Sequence, residues 1–147
     1  MRRRPSSSRS VSPDGEKTSP ATAIVVDDSP VCRTFLRHGL IKAGYEIVAD
    51  AGTGEEALQL FATHRPTLMV IDIVLPQMDG ITAAAQILRM YPDALVVMVS
   101  STDSRQKIRA CRRLGVADFI LKPFSIEKVA EVARRALVTS GPASKAS

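Results

Sequence analysis

Four places in the chain carry residues whose chemistry packing alone does not explain: Asp27-Asp28, Asp72, Ser100 and Lys122. Asp72 breaks an apolar stretch, with Leu68-Met69-Val70-Ile71 before it and Ile73-Val74-Leu75 after it. An ionised carboxylate at the end of a buried strand is costly unless it is paired. If Asp27, Asp28 and Asp72 meet, the three carboxylates repel one another until a cation joins them. Oxygen ligands without His or Cys suit a hard ion, Mg2+ rather than zinc. Mg2+ keeps several waters and is usually held by one or two carboxylates plus phosphate oxygens, so the set reads as a place where a phosphoryl group meets Mg2+. Lys122 supplies a second positive charge for phosphate oxygens, and Ser100 supplies a hydroxyl donor. Asp72 is the natural nucleophile, forming an acyl phosphate.

These residues act together only if the elements that carry them converge. Ala23–Val26 is a short apolar run rich in β-branched residues and ends at Asp27-Asp28. Ser29-Pro30 then reads as an N-cap followed by proline at the first helical position, with a helix to Ala43 and Gly44 at its end. Tyr45–Ala49 is a second strand. Thr53-Gly54-Glu55-Glu56 has the capping-box spacing and opens a helix to about His64. Thr67–Ile71 is a third strand, and Asp79-Gly80 opens a helix that ends near Tyr91, before Pro92. Leu95–Val99 is a fourth strand, followed by Ser100. Asp103 is expected to open a helix to Leu114, with Gly115 as its cap. Val116–Leu121 is a fifth strand, and Ser125 caps a last helix to about Val138.

The pattern is a strand and a helix five times over. Unbroken apolar strands that do not alternate mark a parallel sheet buried on both faces. Right-handed crossovers then place helices on both sides, giving an α/β three-layer sandwich. In such sheets ligands bind at the carboxyl ends of the strands. Asp27-Asp28, Asp72, Ser100 and Lys122 all stand at those ends.

The ordered set resembles the response-regulator receiver family of two-component signalling: Asp27-Asp28, then Asp72 with the run Leu75-Pro76-Gln77-Met78-Asp79-Gly80, then Ser100, then Lys122-Pro123-Phe124. The likeness covers residues 21–140. It implies the flavodoxin-like strand order 2-1-3-4-5. It implies that Asp72 accepts phosphate from a phospho-histidine on a sensor histidine kinase. It implies Mg2+ held by the side chains of Asp28 and Asp72, by Asp27 through a water, and by the backbone carbonyl of Val74. Lys122 would pair with the phosphoryl group, Ser100 would be the switch hydroxyl, and Phe119 the aromatic that follows it inward. The Lys122–Pro123 peptide is expected to be cis. Val74 and Thr102 flank the phosphoryl site, where an apolar Val74 offers an attacking water no hydrogen bond.

The function expected on this resemblance is a single-domain response regulator, a phosphoprotein switch in a phosphorelay. Chemotaxis is the expected setting. The alternative is a relay intermediate that passes phosphate to a histidine phosphotransfer protein. It is not expected to be an enzyme beyond accepting the phosphoryl group and losing it slowly. A phosphohydrolase of the haloacid-dehalogenase type needs Asp-x-Asp at the nucleophile, and Asp72-Ile73-Val74 lacks the second acid.

Composition bounds the remaining choices. Aromatic residues are 4% of the chain and Trp is absent, which argues against a base-stacking surface. Cys32 and Cys111 have no partner at zinc-ligand spacing, and His38 and His64 are single helix residues. No apolar run reaches the roughly 18 residues of a membrane span, and no apolar region follows the basic start, so a cytoplasmic protein is expected. The net charge is +5, but residues 1–20 hold five basic and two acidic residues, leaving 15 and 13 for the rest. That first segment, Ser- and Pro-rich, is expected to be disordered, and residues 141–147 to be a flexible tail. Arg105, Arg109 and Arg112 share one stripe of the fourth helix, opposite Ile108, Cys111 and Leu114. The receiver resemblance implies that helix four, strand five and helix five are the output surface for a protein partner, and nucleic acid is disfavoured.

Overall fold

The computed structural model describes residues 20–101 and 104–138. The expected tails, 1–20 apart from Pro20 and 141–147, lie outside the described residues, as do Thr102 and Asp103. Five strands and five helices alternate: β1 (Thr22–Val26), α1 (Pro30–Lys42), β2 (Glu46–Ala51), α2 (Gly54–His64), β3 (Leu68–Asp72), α3 (Gly80–Met90), β4 (Leu95–Ser100), α4 (Arg105–Leu114), β5 (Asp118–Leu121) and α5 (Ile126–Val138). All pairings are parallel, and the strand order is β2-β1-β3-β4-β5, as expected.

Burial explains the strand composition. β3 and β4 are buried at every residue and β1 at all but its first, because helices cover both faces. One core lies under α1 and α5 and includes Val25, Leu36, Leu40, Val70, Val97 and Val129. The other lies under α2, α3 and α4 and includes Ile24, Phe61, Ile71, Ile87, Met98 and Cys111. Each fully buried large aliphatic contributes roughly 1.5–3 kcal/mol relative to exposure.

Side-chain caps start the helices where the sequence places them. Ser29 Oγ accepts from Cys32 N at 3.3 Å, and Thr53 Oγ1 accepts from Glu56 N at 3.1 Å. Glu56 Oε1 reaches back to accept from Gly52 N at 3.0 Å. Asp79 Oδ1 and Ser125 Oγ cap α3 and α5 in the same way. The α4 cap is Ser104, whose Oγ accepts from Lys107 N at 3.4 Å, one residue after the expected Asp103.

Two glycines set how closely elements approach. A Cβ on Gly39 of α1 would stand 2.5 Å from Val129 Cβ of α5. A Cβ on Gly80 would stand within bonding reach of the Asp72 carbonyl oxygen, so α3 starts against the end of β3 only because residue 80 has no side chain.

Candidate functional site

The carboxyl ends of β1, β3, β4 and β5 meet at one edge of the sheet. One residue past the end of β1, Asp27 N donates to Ala51 O at 3.0 Å. This puts the Asp27 side chain in the interior, fully buried, while Asp28 turns outward and is exposed. Asp72 is the last residue of β3 and is buried in register with Val99. Ser100 ends β4 and is buried, and its carbonyl accepts from Lys122 N at 2.8 Å. That backbone bond fixes where the lysine leaves β5. The Lys122–Pro123 peptide is cis, as expected.

One carboxylate oxygen from each of Asp27, Asp28 and Asp72 lies within 4.8 Å of the others. Lys122 Nζ donates to Asp72 Oδ2 at 2.7 Å and stands 3.2 Å from Asp27 Oδ2. Asp72 Oδ1 accepts from Val74 N at 3.0 Å, and Asp27 Oδ1 accepts from Ser29 N at 2.9 Å. Asp27 Oδ2 is buried and makes no hydrogen bond.

The electrostatics follow from crowding. Burial raises the Asp27 carboxyl above its ordinary value, and the charge of Asp72 adds to this, against the Ser29 N–H and Lys122. Burial alone would lower the Lys122 ammonium; its hydrogen bond to Asp72 and the charges of Asp27 and Asp72 outweigh it and raise the group. Lys122 therefore stays charged, yet one ammonium faces three carboxylates. A buried carboxylate oxygen that makes no hydrogen bond, beside two more carboxylates that one ammonium cannot balance, fits a hard divalent cation. The residues present thus suit Mg2+, with Asp27, Asp28 and Asp72 able to hold it.

The remaining expected residues sit around this cluster. Val74 is 58% exposed at the rim. Phe119 is half-buried against the core under α4, with the Arg112 guanidinium 5.8 Å above its ring. Cys111 is fully buried, and burial followed by the charge of Asp79 raises its thiol, so it is a packing residue. His38 and His64 are exposed.

Sequence reasoning missed two features of this edge. One is a groove of about 450 Å³ beside Lys122, lined by Val31, Phe35, Pro123 and Phe124. The other is Arg33, whose Nη1 donates to the Asp27 carbonyl oxygen. Its one sequence signal is the i,i+4 spacing with Arg37, which puts two cations on the α1 face beside β2.

Comparison with known proteins agrees with this geometry. The response regulator receiver domain model matches residues 23–134. The chain is 34% identical over 114 residues to the chemotaxis protein CheY of Bacillus subtilis, covering 78% of this chain and 95% of that protein. It is 34% identical over 115 residues to the transcriptional regulatory protein PdtaR of Mycobacterium tuberculosis, covering 77% of this chain and 55% of that one. Among solved structures, a CheX–CheY–BeF3–Mg2+ complex from Borrelia burgdorferi matches with a TM-score of 0.77 and 29% identity, over 88% of this chain and 96% of that one. Sequence, strand order and the carboxylate edge agree, and the chain belongs to the response regulator receiver domain family, within two-component signalling.

Proposed function

We propose that this chain is a phosphorylation switch that accepts a phosphoryl group on Asp72 from a phospho-histidine of a sensor histidine kinase. The observation that carries this reading is the Lys122 ammonium, 2.7 Å from Asp72 Oδ2 and 3.2 Å from Asp27 Oδ2, beside a third carboxylate. An Asp72 oxygen attacks phosphorus, the phosphorus–nitrogen bond breaks, and the imidazole leaves. Lys122 exchanges its Asp72 partner for the incoming phosphoryl oxygens and needs no large movement to do so. Asp27, Asp28, Asp72 and the Val74 carbonyl would hold Mg2+, which would supply positive charge for the phosphoryl oxygens in transfer.

Ser100 and Phe119 form the two-state element that reads the modification. The Ser100 hydroxyl turns to the phosphoryl group, and Phe119, packed beneath Arg112, moves with it and shifts the surface of α4. All five basic side chains of α4, Arg105, Lys107, Arg109, Arg112 and Arg113, are exposed, and none is ion-paired among the described residues. The α4, β5 and α5 surface accordingly suits an acidic protein segment as output partner. Replacing Arg105, Arg109 and Arg112 by Ser should abolish low-salt retention on immobilised poly-glutamate and leave modification of Asp72 intact. Unchanged retention would remove this assignment.

The likeness to chemotaxis CheY proteins supports a chemotaxis setting. The role is a switch without turnover of a separate substrate, acting in the cytoplasm. No helix among the described residues is long and apolar enough to cross a membrane. The test is incubation with acetyl phosphate and Mg2+, read by intact mass. The wild type should gain one phosphoryl group and Asp72→Asn none. Equal gain by Asp72→Asn would overturn the reading.

A further inference from the structure

Arg33 stands on the first turns of α1 and spans three elements. Its Nη1 donates to the backbone carbonyl of Asp27, the residue that follows β1. Its Nε lies 3.6 Å from Asp50 Oδ1 on β2. Asp50 is itself anchored by Arg37 Nη1 at 2.6 Å, and Arg37 Nη2 is held by Thr34 Oγ1 at 3.2 Å. The Arg33 side chain is only 21% exposed. Gly52, just past β2, leaves it room: a Cβ there would lie 3.4 Å from Arg33 Nη1.

The bond to Asp27 is placed where it governs the metal-binding carboxylates. The Asp27 carbonyl belongs to the peptide between Asp27 and Asp28, the point at which one side chain turns inward and the next outward. Rotating that peptide would swing both carboxylates relative to Asp72. Asp27 Oδ1 is tied by Ser29 N, but Asp28 has no side-chain bond of its own among the described residues to hold its direction.

From this geometry we infer that Arg33 is a positioning residue for the Mg2+ site, a brace that fixes the Asp27–Asp28 peptide against Asp50. It rests on reading Asp27, Asp28 and Asp72 as that site. The sign of the effect separates a brace from simple electrostatics. A guanidinium beside a cation site repels the cation, so removing its charge alone would tighten Mg2+ binding. Removing a brace loosens the ligands and weakens binding, as loss of supporting contacts around metal ligands does.

The experiment is calorimetric titration of the full chain with Mg2+ alone, with thermal unfolding of each variant in parallel. Arg33→Ala, and Arg33→Met to keep the aliphatic stem where Ala does not fold, should each weaken Mg2+ binding about tenfold. Arg37→Ala breaks the other contact to Asp50 without touching Asp27 and should leave affinity within about twofold. Arg33 variants that bind Mg2+ as tightly as wild type, or more tightly, would overturn the inference alone. So would an Arg37→Ala loss as large as theirs. A wild type that binds no Mg2+ would overturn the site itself, and the brace with it.

Discussion

Lys122 Nζ hydrogen-bonds Asp72 Oδ2 at 2.7 Å across the gap between β5 and β3, with β4 between them. The bond neutralises the nucleophile before any phosphoryl group arrives and places a cation where the transferred oxygens would sit. Lys122→Met keeps the stem and removes the charge. Phosphorylation by acetyl phosphate, followed by intact mass, should slow by about 100-fold or more, the loss typical of removing one electrostatic contact to a transition state. Mg2+ binding should be no weaker, since the carboxylates remain and a competing cation is gone. A wild-type rate of modification would remove Lys122 from the reaction.

Removal of metal has a signed consequence for stability. Without Mg2+, Asp27 sits buried beside Asp72, and its raised carboxyl records that the charged form is disfavoured in the folded state. Asp27→Asn keeps the oxygen that accepts from Ser29 N and removes the charge, so in EDTA it should unfold at a higher temperature than wild type. Mg2+ at ten times its dissociation constant should stabilise wild type by about 1.4 kcal/mol, roughly 5 °C, and Asp27→Asn far less. Thermal unfolding monitored by circular dichroism checks both. Equal Mg2+ shifts in the two proteins would separate the metal from this cluster.

Gly80→Ala tests how the loop after β3 is built. The added Cβ would collide with the Asp72 carbonyl oxygen and press on Ile73 Cα at 3.0 Å, both backbone atoms with nowhere to go. Gly80 N also donates to Ile73 O at 2.7 Å, so the clash and this bond compete for the same space. The variant should lose about 3 kcal/mol or more in urea unfolding. Its modification by acetyl phosphate should fall as well, because Asp72 shares the displaced backbone. A loss under about 1 kcal/mol would contradict this account of the loop.

How legible each part was follows from where it sits. β1, β3 and β4 are central, buried on both faces, and written as unbroken apolar runs. β2 is an edge strand and tolerates Glu46 and Asp50, so its hydrophobic signal fades before its end: the apolar pattern marks Tyr45–Ala49, while the strand runs Glu46–Ala51. In β5, the other edge, the apolar pattern begins at Val116 but the strand starts at Asp118. Arg65 and Gln77 take positive φ, 45° and 70°, without the glycine that would have announced it. The candidate site residues were legible because charged and hydroxyl side chains at the ends of apolar strands stand out. Arg33 was not, because it reaches the edge through a backbone carbonyl, which carries no side-chain signature.

Tyr45 gives a pH-dependent test remote from the phosphorylation edge. It is buried between β2 and α5, its Oη donates to Ala133 O at 2.8 Å, and burial pushes its phenol up from 10.0 to about 12. Below pH 10 the phenol is neutral in both folded and unfolded chains, so its hydrogen bond contributes in full. Between pH 10 and about 12 only the unfolded chain ionises, so the unfolded state gains and folding stability falls. The shift corresponds to a loss on the order of 2 kcal/mol by the top of that window. Tyr45→Phe gives up the bond, about 1 kcal/mol at neutral pH, but has no phenol there to ionise. The variant should therefore be the less stable protein at pH 7 and the more stable one near pH 12, with other titrations cancelling in the difference. Urea unfolding of both proteins across that range checks the crossing, and a stability gap that stays constant with pH would contradict the buried, bonded phenol.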